Sequence, residues 1–300
     1  MFLRIATWGL VLVLGLVAIL YGLVTFVPGF NARAYSALYG DNKPAPVVTL
    51  ADGLHYVGAS DIASYAIETG DGLILIDAGY YDTVPIILDN LATLGFAPSD
   101  VKILLNTHSH MDHAAGLARL KAATGARMLA GAIAKTELER GGRNDPLLGN
   151  LMAYDPVTVD QVVEDGGTVE LGAAKLTMHH TPGHTPGCTS WQFKAVLNGI
   201  ERDTLLICSL SLLSYQIAGP EPSYPSIADA FRSTFAKLDA LPCEIFLAPH
   251  ASQFGLARKI AVRSTNPDAL VDTPGCRAYV GLTRDAFEAR YKEQSSHADQ

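Results

Sequence analysis

Residues 108–113 read His108-Ser109-His110-Met111-Asp112-His113, three imidazoles and one carboxylate in six positions. They directly follow a strand-like apolar run at 101–105. His108 and His110 are two apart, so at an extended strand end their side chains point the same way. Asp112 and His113 fall where Ala114-Ala115-Gly116-Leu117 suggests a helix start, and can face a second ion beside the first. A His-rich surface turn would explain two histidines. Four nitrogen and oxygen donors in six, beside a buried strand, point instead to a metal site.

Further donors come from elsewhere. His184 lies in Thr181-Pro182-Gly183-His184-Thr185-Pro186-Gly187, a rigid loop that can present one side chain at little ordering cost. His250 ends the apolar run that begins at Ile245. Three strand ends thus each deliver ligands to one rim. His55, His179, His180 and His297 read as structural; His179 and His180 suit packing or support of the ligands. Asp77, closing the apolar run Leu73-Ile74-Leu75-Ile76, could hold the outer nitrogen of a ligand histidine or simply form the turn before Gly79.

The elements that must position these residues follow from pattern. Strands are expected at 54–57, 62–68, 73–77, 101–105 and 127–130, with helices at 83–94, 114–123 and 133–140. The second half adds strands near 162–171, 175–180, 189–196, 204–208 and 244–248, and helices at 227–238 and 283–294. The polar, Gly- and Pro-containing stretch 141–160 lacks periodicity and reads as a wall of a cleft. Two sheets packed face to face with helices outside, an α+β arrangement, suit this order.

The motif His-x-His-x-Asp-His with distant histidines resembles the metallo-beta-lactamase superfamily. Residues 105–117, the run His184-Thr185-Pro186-Gly187-Cys188-Thr189-Ser190-Trp191, Ser209-Leu210-Ser211 and Leu241-Pro242-Cys243-Glu244-Ile245 are similar to class B beta-lactamases of subclass 3. The likeness runs from about Val48 to the last helix. It implies a four-layer αββα sandwich over 47–300 and a site for two zinc ions. His108, His110 and His184 would hold one zinc, and Asp112, His113 and His250 the other. A bound zinc lowers the pKa of its water to about 7, giving hydroxide at neutral pH. By the resemblance that hydroxide attacks a lactam carbonyl, the second zinc steadies the departing nitrogen, and Asp112 orients the nucleophile. Ser209, Ser211 and Tyr215 match residues that meet the substrate, Tyr215 near the carbonyl oxygen. Two departures border the cleft: Met111 replaces an aromatic residue, and Ala251-Ser252-Gln253-Phe254 replaces a Pro-Gly segment.

The resemblance also implies a Cys243–Cys276 bridge, and Cys188 with Cys208 is the expected second pair. Cys208 adjoins Ser209, where subclass 1 relatives carry a cysteine ligand. Adjacent strand residues face opposite ways, so Cys208 is expected to point away from the metals. Four cysteines, an even number, fit an oxidising compartment.

Residues 1–30 differ in kind. From Ile5 to Val27 the chain has 23 uncharged residues, preceded by Arg4. Such a helix reaches about 35 Å, enough to span a bilayer, and exceeds the usual signal-peptide core. It reads as an uncleaved anchor in the inner membrane; a cleaved signal, ending near Ala32-Arg33-Ala34, is the alternative. Residues 31–46 read as a linker. Either way a periplasmic location and a monomer are expected. Without residues 1–29 the net charge is −9, with no basic cluster, which excludes a nucleic-acid partner. Ser99-Asp100-Val101-Lys102 fits Ser-x-x-Lys, but no Ser-Asp-Asn or Lys-Thr-Gly accompanies it, so a serine mechanism is set aside. Two further readings compete with beta-lactam hydrolysis: a lactonase or thioesterase of the same superfamily, and a binding protein with a vestigial metal site.

Overall fold

The computed structural model describes residues 13–20, 22 and 42–298. Residues 13–20 are helical, but most of the leader, and with it the anchor-or-signal reading, lies outside the described residues. Among the described residues no helix is long and apolar enough to cross a membrane.

The first sheet has seven strands in chain order: β1 (Val48–Ala51), β2 (Leu54–Tyr56), β3 (Tyr65–Glu68), β4 (Leu73–Ile76), β5 (Val101–Leu105), β6 (Arg127–Ala130) and β7 (Gln161–Val162). It is antiparallel as far as β4 and parallel from β4 to β7. The parallel crossovers carry α1 (Thr83–Thr93), then α2 (Met111–Ala114) and α3 (Leu117–Thr124), then α4 (Ala132–Glu139). The second sheet is ordered β12-β11-β10-β9-β8, from β8 (Thr168–Leu171), β9 (Ala174–His180), β10 (Thr189–Leu197), β11 (Ile200–Leu206) and β12 (Ile245–Leu247). The helix α5 (Ile227–Ala240) carries the chain from β11 to its parallel neighbour β12, and α6 (Leu256–Ala261) and α7 (Thr273–Ala298) close the fold.

Alternation fixes the layers. In β4, Ile74 and Ile76 join a core shared with Leu176, Met178 and Trp191 of the second sheet. Leu73 and Leu75 face the other way, into a second core with Val84, Ile87 and Leu91 of α1 and Leu120 of α3. A strand buried on both faces must lie between two layers. Phe231 and Phe235 of α5 and Phe287 of α7 join the first core from beyond the second sheet. The result is the αββα sandwich. Each fully buried side chain of this size stabilises by about 1.5–3 kcal/mol.

Cys188–Cys208 and Cys243–Cys276 are both bridged. The first ties the turn after β9 to the segment after β11; the second pins α7 to the entry of β12. Several boundaries differ from the pattern reading. The run 162–171 splits, β7 joining one sheet and β8 the other across a turn at Gly166 (φ +80°). β11 starts at Ile200 because Asn198 and Gly199, both at positive φ, make a two-residue hairpin that pairs Leu197 with Ile200. α7 begins ten residues earlier than expected, since Pro274 suits a first turn. β1 and α6 were not anticipated.

Candidate metal centre

The parallel strand β5 ends at Leu105, and the chain then delivers His108, His110, Asp112 and His113 to one rim. The turn between β9 and β10 brings His184, and the end of β12 brings His250. Thr107 O accepts from Thr189 N at 2.8 Å, joining the two sheets at that rim. His108, His110 and His184 form one group whose donor atoms lie within 4.8 Å of one another; His108, Asp112 and His113 form a second. His250 Nε2 reaches this second group, 3.3 Å from His113 Nε2 and 3.5 Å from Asp112 Oδ2. The structure thus brings all six residues together.

The donor set fits a metal. Burial first, then the neighbouring histidines, hold His108 well below its ordinary pKa, and His184 falls to about 3 for the same reasons. Both are neutral, as ligands must be. Burial works against ionisation of Asp112, but His113 and His250 overcome it and hold its carboxyl well below the usual range.

Each histidine has one nitrogen facing a group of the protein, which leaves the other to face inward. His108 Nδ1 lies 3.0 Å from Thr107 Oγ1, and that hydroxyl donates to Asp77 Oδ2 at 2.6 Å. His184 Nδ1 donates to Ser211 O at 2.7 Å. His250 Nδ1 lies 3.1 Å from Asp61 Oδ2 in a hydrogen bond, whereas His110 Nε2, 3.3 Å from Asp145 Oδ2, and His113 Nδ1, 3.6 Å from Asp77 Oδ2, face their carboxylates without hydrogen-bond alignment. Such partners fix ring orientation and raise ligand basicity. Asp77 also accepts from Asn106 Nδ2 and Thr107 N, and it sits at φ +63°. The strained backbone is held because three donors converge on one buried carboxylate. Glu137, buried on α4, accepts from Ser109 Oγ at 2.8 Å and from Gly187 N at 3.2 Å, stapling the His108–His113 loop to the His184 turn.

The donors open into a cleft of about 490 Å³. Met111, Leu147, Leu148 and Gln253 line it, together with the hydroxyl groups of Ser209, Ser211 and Ser214. The stretch 141–160 therefore does supply a wall. Tyr215 is corrected: it is fully buried, and its hydroxyl donates to His184 O at 2.8 Å instead of facing the cleft. Cys208 is committed to its disulfide and to no metal. His180 supports the His184 turn through Pro186 O at 2.8 Å, His179 pairs with Gln192, and His55 bonds Thr49 and Glu68. The side chain of His297 lies outside the described residues. Lys102 Nζ, at the surface, bonds Ser99 O, with no role in the cleft.

Comparison with known proteins agrees with this geometry. The profile of the metallo-beta-lactamase superfamily matches residues 57–250. The chain belongs to the metallo-beta-lactamase superfamily. Among solved structures, the metallo-beta-lactamase FEZ-1 from Legionella gormanii gives a TM-score of 0.81 at 36% identity, covering 84% of this chain and 98% of that one. The subclass B3 metallo-beta-lactamase BJP-1 of Bradyrhizobium japonicum gives 0.81 at 35%, covering 88% and 100%. A hydroxyacylglutathione hydrolase of Anaeromyxobacter dehalogenans is 28% identical over 179 residues, 60% of this chain and 58% of its own length. A probable metallo-hydrolase of Burkholderia pseudomallei is 32% identical over 105 residues, 35% and 34%. The chain thus spans little more than half, or less, of these curated relatives. Membership of the superfamily, together with the clustered histidine and aspartate donors, agrees with a centre able to hold metal.

Sequence reasoning missed Asp61, Glu137 and Asp145. A signal existed only in general form: every ligand histidine needs something to hold its outer nitrogen. Asp61 and His250 are 189 residues apart, and nothing local links them.

Proposed function

We propose that this protein is an exported hydrolase that opens the beta-lactam ring of antibiotics and so confers resistance. In this reading it uses two zinc ions, one held by His108, His110 and His184 and one by Asp112, His113 and His250. Zinc bound here supplies Lewis acidity, generating hydroxide at neutral pH and polarising a carbonyl. Asp112, ionised and partly open to the cleft, accepts a hydrogen bond from the nucleophile and aims it. Asp61 keeps His250 turned inward. Among the described residues no lysine or arginine lines the cleft, so a substrate carboxylate would meet neutral donors, the hydroxyls of Ser209, Ser211 and Ser214 and the amide of Gln253. Its recognition then depends partly on the metal charge.

The observation that carries this choice of substrate is Ser209, which lines the cleft; by the resemblance, it stands in the segment where other hydrolases of the superfamily place a metal-bridging aspartate. The solved metallo-beta-lactamases cited above support it, matched at 35–36% identity over nearly their whole length. The hydroxyacylglutathione hydrolases favour a second reading, a thioester hydrolase, but over shorter stretches. Two disulfides fit an oxidising compartment, which supports export to the periplasm through residues 1–30, as anchor or signal.

Hydrolysis of a penicillin, a cephalosporin and a carbapenem, with and without a chelator, tests the proposal. Chelator-sensitive turnover, restored by zinc, is expected. A folded, zinc-loaded protein that cleaves none of the three would sink it.

A further inference from the structure

Asp145 has two tasks, one for each carboxylate oxygen. Its side chain is 5% exposed, and Oδ2 lies 3.3 Å from His110 Nε2. Oδ1 accepts from Leu147 N at 2.8 Å and from Leu148 N at 2.9 Å. Backbone bonds between Asp145 and Gly149, in both directions, close the same turn. Leu147 and Leu148 are the residues by which this stretch lines the cleft. A second tie runs parallel: Tyr154, beyond the turn, donates its hydroxyl to Ser109 O at 2.9 Å, between two ligand histidines.

We propose that Asp145 is a positioning residue that couples the Leu147–Leu148 wall of the cleft to the three-histidine metal group. The inference rests on the metal reading above and adds a route between metal and substrate wall. A buried carboxylate needs partners for both oxygens. His110 Nε2 and Asp145 Oδ2 stand 3.3 Å apart without hydrogen-bond alignment; a metal held by the other nitrogen of His110 would leave the proton on Nε2 and turn it toward Oδ2, so that the carboxylate is held and presents Oδ1 to the turn. With His110 unrestrained, Oδ2 loses its fixed partner and the turn loses its anchor. By linkage, whatever steadies the wall strengthens the metal by the same factor. Substrate pressing on Leu147 and Leu148 therefore tightens metal binding at this group.

Asp145→Asn separates the two tasks. Its amide oxygen can still accept from Leu147 and Leu148, while its amide N–H faces the His110 N–H, donor against donor. The experiment uses the full-length protein and reads two quantities. One is zinc affinity by competition with a chromophoric chelator; the other is hydrogen exchange at the Leu147 and Leu148 amides, with and without zinc. In the parent protein zinc should slow that exchange at least tenfold. In Asp145→Asn the zinc held by His108, His110 and His184 should weaken by about 10–100-fold and the zinc-dependent protection should vanish. Asp145→Ala should lose the protection even without zinc. If the parent binds zinc but exchange at both amides ignores it, the coupling is overturned while the metal reading stands. If Asp145→Asn keeps parental affinity and protection, the coupling is likewise overturned. A parent protein that binds no zinc would overturn both.

Discussion

Asp61 Oδ2 lies 3.1 Å from His250 Nδ1, and Asp61 Oδ1 accepts from Ser252 N at 2.8 Å. One carboxylate from the loop between β2 and β3 thus aims a ligand that stands at the end of β12. An isolated bridge between Ile62 and His250 sets the two backbones side by side, so the contact is built by the fold. Burial disfavours charge on both partners. The pairing prevails: Asp61 is held near 2, and Asp112 with Asp61 raises His250 to about 10, so a metal bound at its Nε2 must displace a proton.

Asp61→Ala should therefore weaken the metal held through His250 by about 10–100-fold while the other metal stays bound. Metal titration against a competing chelator reads both affinities. Equal weakening of both, or of neither, would contradict the assignment.

Glu137 makes a second pair of opposed variants. Glu137→Ala leaves Ser109 Oγ and Gly187 N buried without an acceptor, at about 1–3 kcal/mol each. Glu137→Gln keeps an acceptor and can reverse the Ser109 bond, so its loss should be small. Burial pushes the Glu137 carboxyl up, beyond what Ser109 and Arg140 pull back. The folded state thus takes up a proton there, and ionisation opposes stability as pH rises through the folded pKa. Thermal melts should show Glu137→Gln gaining on the parent as pH rises; a constant gap would contradict this.

Acid stability should depend on Asp272 with the opposite sign. It caps α7 through Gly275 N at 2.9 Å and pairs with the buried Lys259 at 3.0 Å. Burial raises its pKa, but Lys259 and the Gly275 amide lower it further, so the net shift is downward. Its contribution is present above the unfolded carboxylate pKa and is lost as pH falls through the lower folded value. Asp272→Asn should lose about 1 kcal/mol near pH 7 and converge on the parent toward pH 2. Melting curves across that range decide it.

Tyr215→Phe separates a structural hydroxyl from one that meets substrate. Its bond to His184 O is worth about 1 kcal/mol of stability. The melting temperature should fall by a few degrees and KM should hardly move. A KM raised tenfold at unchanged stability would place the hydroxyl on the substrate.

The parts legible in the sequence were those written in local pattern. His108-Ser109-His110-Met111-Asp112-His113 beside an apolar strand announces metal chemistry, and apolar runs such as 101–105 announce strands buried on both faces. The Asn198-Gly199 hairpin carries an equally local signal, which a reading of separate strands at 189–196 and 204–208 passes over. The partners of the ligands were not legible. Asp61, Glu137 and Asp145 are ordinary acidic residues until the fold sets them against His250, Ser109 with Gly187, and His110. Tyr215 misled because a tyrosine near the ligands suits a substrate contact, while its hydroxyl turns inward to the His184 carbonyl. Long-range pairing sets these roles, and spacing cannot encode it.

The ratio of kcat/KM for a beta-lactam to that for a hydroxyacyl thioester of glutathione, measured on one zinc-loaded preparation, separates the two substrates this centre could serve. A ratio well above one is expected, with both activities lost on chelation. Efficient thioester cleavage with no beta-lactam turnover would contradict it and assign this metal centre to the other branch of the superfamily.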